Sequence, residues 1–380
     1  MINIKDNITL QKQIELENLA DNNCLIRVVA GSHAYGTNIE GSDWDERSIF
    51  ADDFERIILP FDKIEQVKYR EDDKVSFELS KYMPLLLSQN PNVIELLWTE
   101  DKDVLFKNNL GQLLIDNRKE FLSIQVKDSY VGYALAQLKR IKGHNKWINN
   151  PQSEKEPEQK DFLSVVWNFS NKPIYNKQVP LDGYVAIHIG NNTFSLWNAD
   201  ILNLPTNKSW IDKRGNPKPI DKEEFNKINI NNISPDLIVK VNTELFESHH
   251  TNWKMYWNWK TQRNEKRGEL EKKFGYDVKH AMHLIRLLRS GINILETGIV
   301  PVKREDAQYL LDIRFGKFTY EEIVSESERL SKQIEDLSSK TLLPKEPNFQ
   351  LAKEVMLEIY SKQWNMSINN ITKIKPSLIR

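Results

Sequence analysis

Two short stretches near the N-terminus carry residue types suited to phosphate chemistry. Residues 31–36 read Gly-Ser-His-Ala-Tyr-Gly, and residues 42–47 read Ser-Asp-Trp-Asp-Glu-Arg. The first follows LIRVVA, an apolar run of β-branched residues that reads as a buried strand. A strand that runs through Gly-Ser into a helix leaves backbone N–H groups free at the turn. Gly31 lets a phosphate approach the backbone there, and the Ser32 hydroxyl can donate to it. In the second stretch, strand geometry would put Asp43 and Asp45 on one face, because residues i and i+2 point the same way. Two carboxylates held side by side beside a phosphate cradle make a Mg²⁺ site, since magnesium takes oxygen ligands from carboxylates and substrate phosphates. Arg47 shares that face and could steady a carboxylate, touch a phosphate or form a plain strand-face ion pair. Gly-Ser turns and Asp-x-Asp pairs are each commonplace; their order and spacing between two strands give the reading its force.

Those residues need a sheet to hold them. The spacing predicts an amphipathic helix over 8–22, strands at LIRVVAGS, DWDERSIF and DKVSFE, and a helix over 79–89 that stops before Asn90-Pro91-Asn92. Further helices are predicted over 104–118 and 129–148. Residues 150–236 are rich in Asn, Lys and Pro with short β-like runs, YVAIHI and NTFSLW, and read as a loop-rich insert with a small antiparallel piece. Helical periodicity returns from about 240, with helices over 277–296, 304–313, 319–340 and 349–364.

Composition narrows the classes. Of 380 residues, 53 are Lys or Arg and 54 Asp or Glu, a net charge of −1 that argues against wholesale coating of nucleic acid but leaves room for a local basic groove. One cysteine, Cys24, excludes a disulfide framework and a Cys-built zinc site. No apolar run approaches the length of a membrane span and the polar start is not a signal peptide, so a cytoplasmic setting is expected.

The strand ending in Gly-Ser, followed by Asp-x-Asp, resembles the DNA polymerase β nucleotidyltransferase superfamily. The fuller string GSHAYGTNIEGSDWDERSIF resembles the RNA-repair-pathway branch of that superfamily (RlaP-like, also called YcgL-like), as do stretches at 77–98, 133–151 and 274–323. The resemblance implies an α+β fold, with a small mixed sheet and flanking helices at 1–125 and a mainly helical domain from 126–150 and 250–345. The insert 151–249 lies between these parts, and a C-terminal helix and tail occupy 346–380. It implies transfer of a nucleoside monophosphate from an NTP such as ATP to a hydroxyl, with two Mg²⁺ ions, for which Mn²⁺ can substitute. Asp43 and Asp45 match the metal-bridging carboxylates, and Gly31 and Ser32 the triphosphate turn. For the third carboxylate, strand parity favours Glu78 if Val75 and Phe77 face the covering helices, whereas the family pattern favours Asp73, which we take as metal ligand and general base.

Other residues carry a functional and a bland reading. His33 stands just past the turn and is a candidate for nucleotide contact, whereas Tyr35 reads as core and Glu95, inside an apolar run, as a partnered acid. On the helix from 277, Lys279, His283 and Arg286 form one stripe with His280 beside it; the stripe either faces the cleft and binds NTP phosphate, with Lys279 and His283 the candidate contacts, or is solvated. His280-x-x-His283 has the spacing of half a metal site, but no adjacent carboxylate completes the set. Residues 250–290 hold ten Lys or Arg against four Asp or Glu, interleaved with Trp253, Tyr256, Trp257 and Trp259. This suits either a single-stranded nucleic-acid surface or aromatics packed on a neighbouring domain. A second basic run, with Lys127, Lys139, Arg140, Lys142 and Lys146, lies in 126–147. RNA or another nucleic acid is therefore the expected acceptor. A protein AMP- or UMP-transferase and a non-catalytic nucleic-acid-binding module are the alternatives.

Overall fold

The computed structural model describes residues 4–59, 61, 63–70, 73–169, 179–204, 209–228, 233–262 and 265–372. They form two compact units, Met1–Ile148 with Lys266–Arg380, and Asn149–Glu265. The chain runs α1 (Ile4–Asn22), β1 (Cys24–Ala30), α2 (Gly31–Tyr35), β2 (Asp45–Phe50), α3 (Phe54–Ile58), β3 (Gln66–Lys68), β4 (Asp73–Glu78), α4 (Leu79–Leu87), α5 (Pro91–Ile94), β5 (Val104–Lys107), α6 (Asn109–Asp116) and α7 (Val126–Asn149). The second unit holds β6 (Leu163–Asn168), β7 (Tyr184–Gly190), β8 (Thr193–Asn198), α8 (Lys222–Asn226), β9 (Leu237–Val241) and α9 (Thr243–Thr261). Then α10 (Glu265–Phe274) leads to α11 (Val278–Thr297), α12 (Ala307–Arg314), α13 (Tyr320–Ser338), α14 (Phe349–Gln363) and α15 (Ile368–Thr372).

The first unit is built on a mixed five-stranded sheet ordered β3-β4-β2-β1-β5, in which β2 and β4 are parallel and the other pairs antiparallel. The alternation of strand side chains divides its two faces. Phe50 and Val67 meet Ala20 of α1 on one face, where the Ser48 and Ser76 hydroxyls also bond. Ile49 and Phe77 turn to the other face and join a large core that takes in α4, α7, α11, α13 and α14. Phe121, Val126 and Tyr130 belong to that same core, so the expected boundary at 125/126 falls inside one packed body. α11 carries much of it: Val278, Met282, Ile285, Leu288 and Ile292 recur at helical spacing and are buried. Asp277 caps its start and Gly298, with φ +67°, its end.

One expected helix is divided. Over 104–118, Val104-Leu105-Phe106 pairs with β1 as an edge strand, and Asn108 then accepts from the backbone N–H of Leu110 and Gly111 to start α6. The β-branched and aromatic residues favour the strand, and the Asn cap sets the break. Two short elements, α3 and β3, were not expected from the sequence. The second unit is a four-stranded antiparallel sheet ordered β6-β9-β8-β7, with two clusters of its own around Trp210 and Trp197. The helix α9 belongs to that unit.

Candidate active site

The register of the first sheet assembles the site. Ala30, the last residue of β1, pairs with Asp45, the first of β2, and Asp45 pairs in turn with Asp73, the first of β4. Two acids thus stand abreast on neighbouring strands, beside the turn at Gly31. Gly31 has φ +61°, and a Cβ there would lie 2.1 Å from Asp45 Oδ2. Glycine is required by the backbone angle and by the carboxylate pressed against it. Arg47 ties the pair: its guanidinium lies 3.5 Å from Asp45 Oδ1 and donates to the Asp73 carbonyl at 3.0 Å. Burial pushes the Asp45 carboxyl up; Asp73 and Asp43 push the same way, against Arg47 and Lys279.

Asp43 does not share strand geometry with Asp45, because β2 begins at Asp45 and Asp43 sits in the loop before it. Its charge nonetheless acts on Asp45. Glu78 lies at the far end of β4, fully buried, where Ser80 N–H donates to it at 2.6 Å and the Tyr360 hydroxyl at 2.8 Å. It caps α4 and anchors α14. Asp73 shares a strand face with Val75 and Phe77, but at the start of β4 its side chain stands exposed.

The cavity, about 540 Å³, is lined by Gly31, Asp45 and Arg47 on the sheet side and by His280, His283 and Arg286 from α11. Asn92, Thr99, Tyr133, Gln137 and Arg140 complete its polar wall. Tyr133, Gln137 and Arg140 are spaced i, i+4, i+7 on α7; Arg140 belongs to the basic run of that helix, whereas Tyr133 and Gln137 carry no charge to single them out in the sequence. Ser32 and His33 are outside the lining: Ser32 carbonyl accepts Thr37 N–H, and the His33 ring sits 4.9 Å from that of Trp44 with Nε2 3.4 Å from the Ser42 carbonyl.

The stripe on α11 is not uniformly cationic. Burial, with Arg286 and Lys279 nearby, holds the His283 imidazole down to about 3, so it is neutral near pH 7. Arg286 is 4% exposed, bonds Glu95 at 2.6 Å and lies over the Tyr35 ring at 4.0 Å, while Tyr35 hydroxyl donates to the other Glu95 oxygen at 2.6 Å. Glu95 thus has two partners, and Tyr35 is buried. Lys279 is exposed and outside the cavity lining, yet its charge favours the Asp45 carboxylate.

Within the second unit, the aromatic residues of α9 are engaged locally. Trp253 and Trp257 both donate to the Ser153 carbonyl, at 2.8 and 3.0 Å, Lys260 covers the Trp257 ring at 4.3 Å, and Tyr256 is buried. These contacts lie within the unit to which α9 itself belongs, not on a neighbouring domain. Arg263 lies outside the described residues, as do the side chains of Lys266 and Arg267.

The mixed α+β unit, a small mixed sheet with flanking helices, agrees with a polymerase-β-like domain. Residues 6–153 match the model of the RlaP family, the RNA repair pathway DNA polymerase beta family, in agreement with the resemblance read from the motifs. That match ends before the segments at 274–323 that also carried the resemblance. No curated protein and no solved structure matches the chain. Among the described residues, no helix is long and apolar enough to cross a membrane.

Proposed function

We propose that the chain is a Mg²⁺-dependent nucleotidyltransferase that transfers a nucleoside monophosphate from an NTP to a hydroxyl of RNA or another nucleic acid, releasing pyrophosphate. The observation that carries this reading is the registered pair Asp45–Asp73 with Gly31 pressed against it. The donor set suits a hard dication: a carboxylate raised first by burial and further by Asp73 and Asp43, beside a glycine cradle that any Cβ would fill. Asp43, Asp45 and Asp73 would hold magnesium, which supplies charge neutralisation at the phosphates and activation of the attacking oxygen when bound.

The chain's own residues do the rest. Arg47 orients Asp45 and fixes Asp73 through its backbone. The backbone at Gly31 and Ser32 receives the triphosphate, with Lys279 adding positive charge at its side and His33 standing at the margin. Asp73 accepts the proton of the incoming hydroxyl. Neutral His283 offers hydrogen bonds without charge, which suits a base or sugar better than a phosphate. Lys139, Arg140 and Lys142 stand exposed on α7, with Arg140 on the cavity wall, and supply the local positive field that an RNA acceptor needs.

The test is pyrophosphate release from each of the four NTPs with Mg²⁺, with and without total RNA, for wild type and Asp43→Asn/Asp45→Asn. Release that rises with RNA and disappears in the variant is expected. Release indifferent to RNA would retain the transferase and move the acceptor to proteins or small molecules. No release from a folded wild-type protein would leave a nucleic-acid-binding module.

A further inference from the structure

A second group of ligand-type side chains gathers away from the strand-end carboxylates, where the end of α7 meets the junction of α10 and α11. Asp277 uses one oxygen, Oδ1, to accept the His280 backbone N–H at 3.0 Å as the cap of α11. Its other oxygen faces two imidazoles, 3.3 Å from His144 Nδ1 and 3.6 Å from His280 Nε2. Glu271 of α10 brings Oε1 to 3.9 Å from the same His144 Nδ1. His144, Glu271 and Asp277 each offer a ligand atom within 4.8 Å of the others. Both carboxylates are buried, Glu271 1% and Asp277 0% exposed.

The separations and the chemistry agree. Ligands held tetrahedrally at zinc's usual distance of about 2.0–2.2 Å stand roughly 3.3–3.6 Å apart, so atoms already within 4.8 Å of one another close on an ion by side-chain shifts of up to about an ångström. Imidazole nitrogens mixed with carboxylate oxygens suit a divalent transition metal, whereas magnesium prefers oxygen alone. His144 lies far in sequence from Glu271 and Asp277, so an ion among them would staple α7 to α10 and the start of α11.

We propose that His144, Glu271 and Asp277 form a binding site for a divalent transition metal of the zinc type, separate from the oxygen-only set at Asp43, Asp45 and Asp73. The ion ties the end of α7 to the start of α11, beside His280, whose ring also lines the cavity. This does not depend on the transferase reading.

The full-length protein, stripped with a chelator and dialysed against Zn²⁺, is expected to retain about one equivalent by elemental analysis. Asp43→Asn/Asp45→Asn retains the same amount, and His144→Ala falls below about a tenth of it. Cobalt(II) in its place gives the intense visible bands of a four-coordinate site in wild type and loses them in His144→Ala. Asp277→Asn would also remove a helix cap, so His144→Ala, checked by circular dichroism, decides. Should that variant fail to fold, the wild-type melting temperature decides: a rise of several degrees with Zn²⁺ and none with Mg²⁺ is expected. Equal zinc in wild type and folded His144→Ala, zinc lost with Asp43→Asn/Asp45→Asn instead, or a wild type that neither retains zinc nor responds to it would each overturn the assignment.

Discussion

Asp45 is pressed by burial, by two neighbouring acids and, in the opposite sense, by Arg47 and Lys279. Its carboxylate is lost on acidification at a higher pH than an ordinary aspartate's, and the acid limb of activity moves with it. Removing the guanidinium in Arg47→Ala should carry that limb to still higher pH; a shift to lower pH in the pH profile of kcat/KM would contradict the arrangement. Gly31→Ala combines a strained φ with a Cβ forced onto Asp45 Oδ2. It should cost about 1–3 kcal/mol of stability by denaturant titration. It should also lower pyrophosphate release by about 100-fold, because the carboxylate is displaced by about an ångström. At this scale the sequence was informative about identity and poor about placement. The Gly-Ser and Asp-x-Asp spacing pointed to Gly31 and Asp45. That Asp43 precedes the strand, and that Asp73 stands exposed outside the cavity lining, depend on where β2 and β4 begin.

Elements are held together by buried polar links that no periodicity displays. Glu95 joins Tyr35 of α2 to Arg286 of α11, so the glycine turn and the opposite cavity wall share one carboxylate. Breaking that link by Arg286→Ala or Glu95→Ala should cost about 3–5 kcal/mol, since the partner's charge is stranded in the core. The double variant should cost less than the sum, read from a denaturation cycle. Asp52, which follows β2, is fully buried beside Glu78, and burial pushes its carboxyl up to about 6. Between the usual 3.8 and about 6, the folded chain holds a proton that the unfolded chain has released, so this group's contribution to stability grows as pH falls through that window. Asp52→Asn should therefore stabilise the protein at pH 7.5 by about 1–3 kcal/mol, with the gain gone below about pH 4. The α11 stripe was plain in the sequence because one face is continuously apolar. β5 was not, because four residues of edge strand are too few to show a period against the helix that follows.

At the scale of the molecule, the chain is two bodies with separate cores. The Asn- and Lys-rich composition of 150–236 marked the second, though its extent through α9 was hidden by the helical pattern that resumes near 240. Val239 is fully buried in the second unit. Val239→Ala should cost about 2 kcal/mol there and raise amide hydrogen exchange in β8 and β9, leaving the protection of β1 and α11 unchanged. The order of these bodies along the chain has a consequence for synthesis. The core of the first unit draws on residues from Leu25 to Tyr360, whereas the second is complete once Glu265 has been added. At roughly 5–20 residues per second, a ribosome that has finished α7 needs several seconds to traverse the second unit before α11 exists. The nascent sheet waits through that interval with α4, α6 and α7 but without α11, α13 and α14, which complete the core. The later unit in position is thus the earlier one to fold, and the nascent first unit is where a chaperone would find exposed apolar surface.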